Sequence, residues 1–290
     1  MAGYRFCRSD DAQRLVEAYN ACYRVHYPEL PELTLDGFKR WVRELQVWAS
    51  SCMIASGDRD EPIGVLIGAK RETANCIVAL GVHPDHVRQG HGSHMLQSLM
   101  SKLAILGPRR IVAEVPEPLE GARACFEACG FRAHATYTDF AMDADPAGRS
   151  PSTASHPLVA PIGFDEAADA GLLARRHPVC WARSAESLSS RKERIRGLAV
   201  ASEASIEAAL LYSPIESPCK TCRVELLHVA DARAGEALVG LLFGEVRRIG
   251  SGHVAFTLVH PQEVPFGLLS RLGFASGERT VGYEADASSA

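Results

Sequence analysis

Apolar and polar positions alternate along this 290-residue chain with two different periods, and the change of period marks its elements. After Gly92, the residues Met95, Leu96, Leu99, Met100, Leu103 and Leu106 fall on one helical stripe. Gln97, Ser98, Ser101 and Lys102 lie opposite, and Gly107 and Pro108 close the stretch. Before it, residues 63–69 and 76–82 are runs rich in Ile, Val and Leu, split by a polar turn at 70–75, which predicts two strands. The second run is apolar on both faces, so it belongs in the middle of a sheet. A strand at 4–7, a helix at 11–23, a helix at 34–45 capped by Thr34, a strand at 110–115 and a helix at 120–129 complete the first half, with two more strands expected after Gly130. The fold class this predicts is α/β, a mixed α+β sheet with flanking helices.

The same ending occurs twice. Gly130 and Phe131 close one helical stretch and are followed, nine residues after the Phe, by Phe140 and then Asp143. Gly273 and Phe274 close another, at 264–272, and lead at the same spacing to Tyr283 and Asp286. This reads as a duplicated unit. The alternative is chance likeness of two amphipathic segments, since glycine commonly ends helices. Between the halves, residues 143–161 are rich in Pro, Ser and Ala and lack apolar periodicity. The expected division is therefore a first domain at 1–145, a linker at 146–160 and a second domain at 161–290, each of ordinary domain size.

Composition narrows the function classes. Hydrophobic residues make up 47% and charged ones 23%, the balance of a soluble globular protein. No apolar run is long enough to span a bilayer, and no apolar signal-peptide core precedes Arg8, Asp10 and Asp11, so the reading is a cytoplasmic protein with no membrane partner. The nine cysteines are odd in number and sit in apolar stretches, as buried thiols do. Basic and acidic residues number 16 and 19 up to position 145 and 15 and 16 beyond it, so neither half carries the excess that nucleic acid requires.

The candidate chemistry lies where the central strand turns into the striped helix. A helix start leaves N–H groups unpaired and aims the positive end of the helix dipole at the turn, which suits an anion. Pro84 stops the strand, and Gly90 and Gly92 at the junction let a pyrophosphate approach the backbone closely. Two other phosphate readers fail on spacing: the dinucleotide fingerprint needs a glycine where Met95 stands, and the P-loop needs a Gly-Lys-Ser/Thr run. His83, His86, His91 and His94 cluster nearby, but no carboxylate or cysteine completes a metal site, so no metal is expected. Cys219 and Cys222 have redox-type spacing in a loop after Pro218, and incidental thiols are the favoured reading.

These residues resemble the coenzyme A motif of the GNAT acetyltransferase superfamily, an apolar strand ending Val-x-Pro and then Gln/Arg-x-x-Gly-x-Gly/Ala opening a helix. Here the motif runs through Val82, Pro84, Val87, Arg88, Gln89, Gly90 and Gly92, with Val87 in place of Gln or Arg. Downstream, Ala122, Phe126, Glu127, Gly130 and Phe131 resemble the family's second signature, Ala-x-x-Leu-Tyr-Glu-Lys-x-Gly-Phe. The resemblance covers residues 4–143 and extends more faintly to 158–286, which suggests two tandem GNAT-like domains. In the second half only Gly235 remains at the cradle, with Glu236 beside it, so that domain resembles the degenerate partner of tandem members and is expected to bind no cofactor.

The resemblance implies an N-acetyltransferase with acetyl-CoA as co-substrate and a primary amine on a small-molecule or peptide as acceptor, acting as a monomer or homodimer. It places coenzyme A on Leu80, Gly81, Val82, Val87, Arg88, Gln89, Gly90, His91, Gly92 and Ser93, with Phe126 near the thiol. The backbone N–H of Val82 is the candidate that polarises the thioester carbonyl. Residues 75–82 contain no acid where the family often has a Glu, and Phe126 stands where it commonly has an acidic Tyr. Glu114 and Tyr137, the latter on an expected hairpin, are the candidate substitutes, with His26 and Tyr27 in the loop between the first two helices. The contrasting reading is a non-catalytic acyl-CoA-binding or regulatory module.

Overall fold

The stripe that begins at Met95 lies on the helix His91–Leu106 and buries Met95, Leu96, Leu99, Met100 and Leu103. Each such side chain contributes on the order of 1.5–3 kcal/mol. Leu106, expected on the same stripe, is exposed instead, because the helix stops there and Gly107 ends it. This computed structural model describes residues 2–143, 158–175, 177–203, 205–215, 221–230, 235–248 and 252–287. Most of the expected linker and Cys219 lie outside them.

By contacts the chain forms two compact units, Met1–Ala135 with Val281–Ala290, and Thr136–Thr280. The first contains β1 (Gly3–Phe6), α1 (Ala12–Cys22), α2 (Leu35–Glu44), β2 (Met53–Ser56), β3 (Pro62–Lys70), β4 (Asn75–Val82), α3 (His91–Leu106), β5 (Arg110–Pro116) and α4 (Glu120–Ala128). Its strands run β1-β2-β3-β4-β5, with only β4 and β5 parallel. Thr34 caps α2 by accepting from the N–H of Gly37 at 3.1 Å. The four-residue β2 escapes sequence reading because its three apolar residues, Met53, Ile54 and Ala55, are too few to show a period.

After Gly130 a single strand, β6 (Arg132–Asp143), replaces the expected hairpin. The second unit continues with β7 (Ala160–Pro161), α5 (Phe164–Asp169), α6 (Ala185–Ser189), β8 (Arg196–Ala201), β9 (Ile206–Pro214), β10 (Thr221–Val229), α7 (Gly235–Arg248), β11 (His253–Val259), α8 (Phe266–Arg271) and β12 (Ala275–Asp286). Its order is β6-β11-β10-β9-β8-β7, again with one parallel pair, β10 and β11. The duplicated ending has a backbone signature: Gly130 and Gly273 both take left-handed φ, 86° and 93°, and each opens a twelve-residue strand.

Those two strands exchange. From Thr136 onward β6 belongs to the second unit, where Phe140 faces Phe256 and Asp143 faces His253. From Val281 onward β12 belongs to the first, where Tyr283 and Val281 join the core under α3 and the N–H of Ala287 donates to the Arg109 carbonyl at 2.7 Å. The contact division therefore differs from the linear one at 145 and 161. Alternation along 132–143 announces a half-buried strand, but it does not say which core buries it.

Candidate active site

Strands β4 and β5 pair only from Asn75 with Ile111 to Ile77 with Ala113, and β4 then runs on to Val82 with that edge unpaired by β5. On the other edge, Gly64 faces Val82, while the N–H of the next residue, His83, donates to the Ile63 carbonyl at 2.9 Å. In an antiparallel ladder bonded and unbonded pairs alternate, so the N–H and C=O of Val82 point away from β3, toward the gap that β5 has left. His26 confirms the direction for the carbonyl: its Nε2 lies 2.8 Å from the Val82 oxygen. Gly81 carries the end of α1, since a Cβ there would run into the Cys22 carbonyl.

Past Val82 the turn Pro84–His86 leads to two left-handed residues, Arg88 at φ 62° and Gly90 at φ 86°. Alternating hands of backbone bend successive N–H groups toward a common point. Gly90 is the N-cap of α3, so the N–H groups of His91, Gly92 and Ser93 open the helix without intrahelical acceptors, and no acid lies in the first turn. The space beside Gly90 is open, and its positive φ excludes most side chains. These features fit a diphosphate. Val87 is exposed, and Gln89 donates to the Asp85 carbonyl at 3.4 Å, so it braces the turn.

His91, the first helical residue, is buried, with Nδ1 2.5 Å from the Tyr4 hydroxyl and Nε2 unpartnered. Burial, then the neighbouring His86 and His94, lowers its pKa, so the ring is neutral near pH 7. His86 meets both His83 and His91 edge to face, and His94 lies tilted against Tyr4 at 3.9 Å. Among the described residues no group is arranged to hold a metal ion. Ser93 Oγ lies 3.4 Å from Cys125 Sγ, and that thiol closes the back of the cradle behind Gly92.

The remaining candidates separate. Glu114 follows the last residue of β5 that pairs with β4 and is half-buried, on the side of the strand opposite Ala113 and Val115, which pack under α3. Leu80 is half-buried on β4, and Cys76, in the strand position where an acid was sought, is buried. Phe126 is in the core, edge-on to Phe131 and stacked on Tyr283 at 6.0 Å, while the Tyr283 hydroxyl donates to Glu127 at 2.7 Å. Tyr137 belongs to the second unit, buried with its ring against His260. Tyr27 lies tilted against Tyr23, and Tyr23 stacks on Tyr19, each at 5.0 Å, beside His26.

Residues 12–131 match the family described as acetyltransferase (GNAT), a span that contains the cradle and ends at Phe131. This segment belongs to the GNAT acetyltransferase family. The fold of the whole chain is similar to that of a GCN5-related N-acetyltransferase from Sphaerobacter thermophilus, at 16% identity and TM-score 0.69 over 98% of this chain and 95% of that one. A tandem GNAT protein from the clavulanic acid biosynthesis pathway is similar at 15% identity and TM-score 0.66 over 99% of both chains. A putative acetyltransferase from Pyrococcus horikoshii aligns at 13% identity and TM-score 0.61, over 99% of this chain and 90% of that one. No curated protein matches the sequence.

The second GNAT-like unit repeats the parted strands but not the opening. Strands β10 and β11 pair from Thr221 with His253 to Arg223 with Ala255 and then separate. Arg183 fills the gap: Nε donates to the Glu225 carbonyl of β10 at 3.2 Å, and Nη1 to the Thr257 and Leu258 carbonyls of β11 at 2.9 and 3.2 Å. Its Nη2 donates to Glu263, and the ring of Phe256 lies under the guanidinium. At the start of α7, Glu236 is held by Arg271 at 2.7 Å. Sequence reading missed Arg183, and nothing around it in the chain marks a residue that bridges two distant strands.

Proposed function

We propose that the first unit transfers an acetyl group from acetyl-CoA to a primary amine, and that the second unit binds no acyl-CoA. The helix start at Gly90 behind an unpaired β4 edge carries the reading. N–H groups of His91, Gly92 and Ser93 would hold the diphosphate, leaving the pantetheine arm to run along Leu80, Gly81 and Val82. The Val82 N–H faces the gap, where it can donate to the oxyanion that forms as the amine nitrogen bonds to the carbonyl carbon. The C–S bond then breaks, and the proton that the nitrogen sheds is the one that the departing thiolate takes up. That thiolate is a tolerable leaving group without a protein acid, since thiol pKa values lie near ~8.5.

An amine must arrive neutral, and two groups are placed to help. His26 contacts Val82 directly, and Glu114 follows the point where β5 parts from β4. Thiol release from acetyl-CoA in the presence of an amine library tests the proposal, with loss of turnover in Glu114→Gln or His26→Ala identifying the base. Tyr137→Phe is expected to leave turnover intact, given its place in the other unit. Phe126 and the acid-free β4 favour a second reading, a module that binds acyl-CoA without turning it over. Tight coenzyme A binding with no thiol release on any acceptor would select it.

A further inference from the structure

A cavity of about 820 Å³ lies wholly within the second unit, beside the end of β10. Sites for small molecules commonly enclose roughly 300–1,000 Å³. Arg175, His177, His228, Gln262, Glu263 and, on the turn between β8 and β9, Glu203 are among its lining residues. Arg175 is the cation there, with only 9% of its side chain exposed. It donates to Glu263 at 3.0 Å and to the Glu225 carbonyl at 3.0 Å. A guanidinium has five N–H groups, and the rest of these have no partner among the described residues.

The charges do not balance. Glu263 serves Arg175 and Arg183 together, so one carboxylate faces two guanidiniums. Glu225 cannot make up the difference, because Arg191, Arg223 and Ser213 already occupy its carboxylate. Burial and the nearby Arg183 pull the Arg175 pKa down to about 10, as expected for a cation short of a counter-charge. His228 is held neutral by burial, and His177 stacks on His260 with Nδ1 3.0 Å from the Pro178 carbonyl. Glu203 is exposed, and Glu207, at the start of β9 and outside the lining, accepts from Ser202 and Ser205. The wall is thus positive at a buried point and negative at a solvated rim, where charge is screened.

We propose that this cavity binds a metabolite-sized carboxylate, with its anionic end against Arg175. Two guanidiniums in direct contact with one carboxylate leave a place for one more carboxylate, whereas the exposed Glu203 disfavours a phosphate dianion. The site is separate from the coenzyme A cradle and does not depend on the acyltransfer reading.

Calorimetry and thermal shift on the full chain test it with acetate, succinate and L-glutamate at millimolar concentration, each beside its neutral amide and beside inorganic phosphate. At least one carboxylate is expected to bind while its amide does not. Arg175→Lys keeps the buried charge but loses the planar fork, and should weaken binding about tenfold or more. Ala174→Glu, at an exposed lining position, should do the same without endangering the fold, and Gly90→Val should leave binding intact. The proposal is overturned if no carboxylate binds, if an amide or phosphate binds as tightly, if both lining variants behave like the parent, or if Gly90→Val abolishes binding.

Discussion

Both units contain a parallel strand pair that parts after three paired residues, yet the two gaps have opposite fates. In the first, the β4 edge stays open beside a helix start free of acids. In the second, Arg183 ties the strands across the gap and a carboxylate sits at the helix start. The same strand arrangement occurs in both, so one scaffold accommodates an open gap and a gap filled by a single buried side chain.

The sharpest way to break that comparison is to remove the bridge. Arg183→Met leaves Glu263 short of a partner and takes their Arg183 donor from the Thr257 and Leu258 carbonyls, and should cost about 3–5 kcal/mol in calorimetric unfolding. A loss within experimental error would mean that the bridge is incidental. In the first unit, Val82→Pro deletes the N–H that faces the gap while sparing the β3 ladder. It should lower kcat about 100-fold or more with little change in acetyl-CoA KM, read by thiol release. Gly90→Val forces a branched residue into a left-handed backbone, at a strain of about 2 kcal/mol. Coenzyme A affinity by calorimetry should fall about thirtyfold.

Acid provides a gentler probe. Burial opposes the charge on Glu225, but Arg223, Arg191 and Ser213 outweigh it and hold the pKa below its ordinary value. A carboxylate lowered in this way stabilises the fold fully above the unfolded pKa of ~4.3 and loses that contribution as pH falls through the lower folded value. The second unit should therefore lose stability across that range, and Glu225→Gln should flatten the pH dependence. The smallest expected effect is chemical. Burial pushes Cys7, Cys22 and Cys52 up to about 12, whereas half-exposed Cys125 lies behind Gly92. Alkylation near pH 8, followed by mass spectrometry, should label Cys125 ahead of the other cysteines among the described residues, and more slowly when coenzyme A is present.

What could be read from the chain beforehand was local. Pro84, Gly90, Gly92 and the stripe from Met95 signal a strand, a turn and a helix start within twenty residues, and the structure has them there. The repeated Gly-Phe ending was visible for the same reason, since glycine closes a helix one residue later. The gap beside Val82 depends instead on where β5 stops pairing, and Arg183 bridges strands 42 and 74 residues away. Neither follows from periodicity. Tyr137 shows the limit most plainly: it is seven residues beyond Gly130, yet it serves the other core.

The exchanged strands also impose a timetable on biosynthesis. A chain emerging from the ribosome has all the helices of the first unit after residue 128 but must wait for Val281 and Tyr283 before that core can close. Such long-range pairing is slow and leaves apolar surface uncovered in the interval. Nascent chains stalled anywhere short of residue 281 should therefore hold the first core unfinished and be dependent on chaperones, whatever happens to the second.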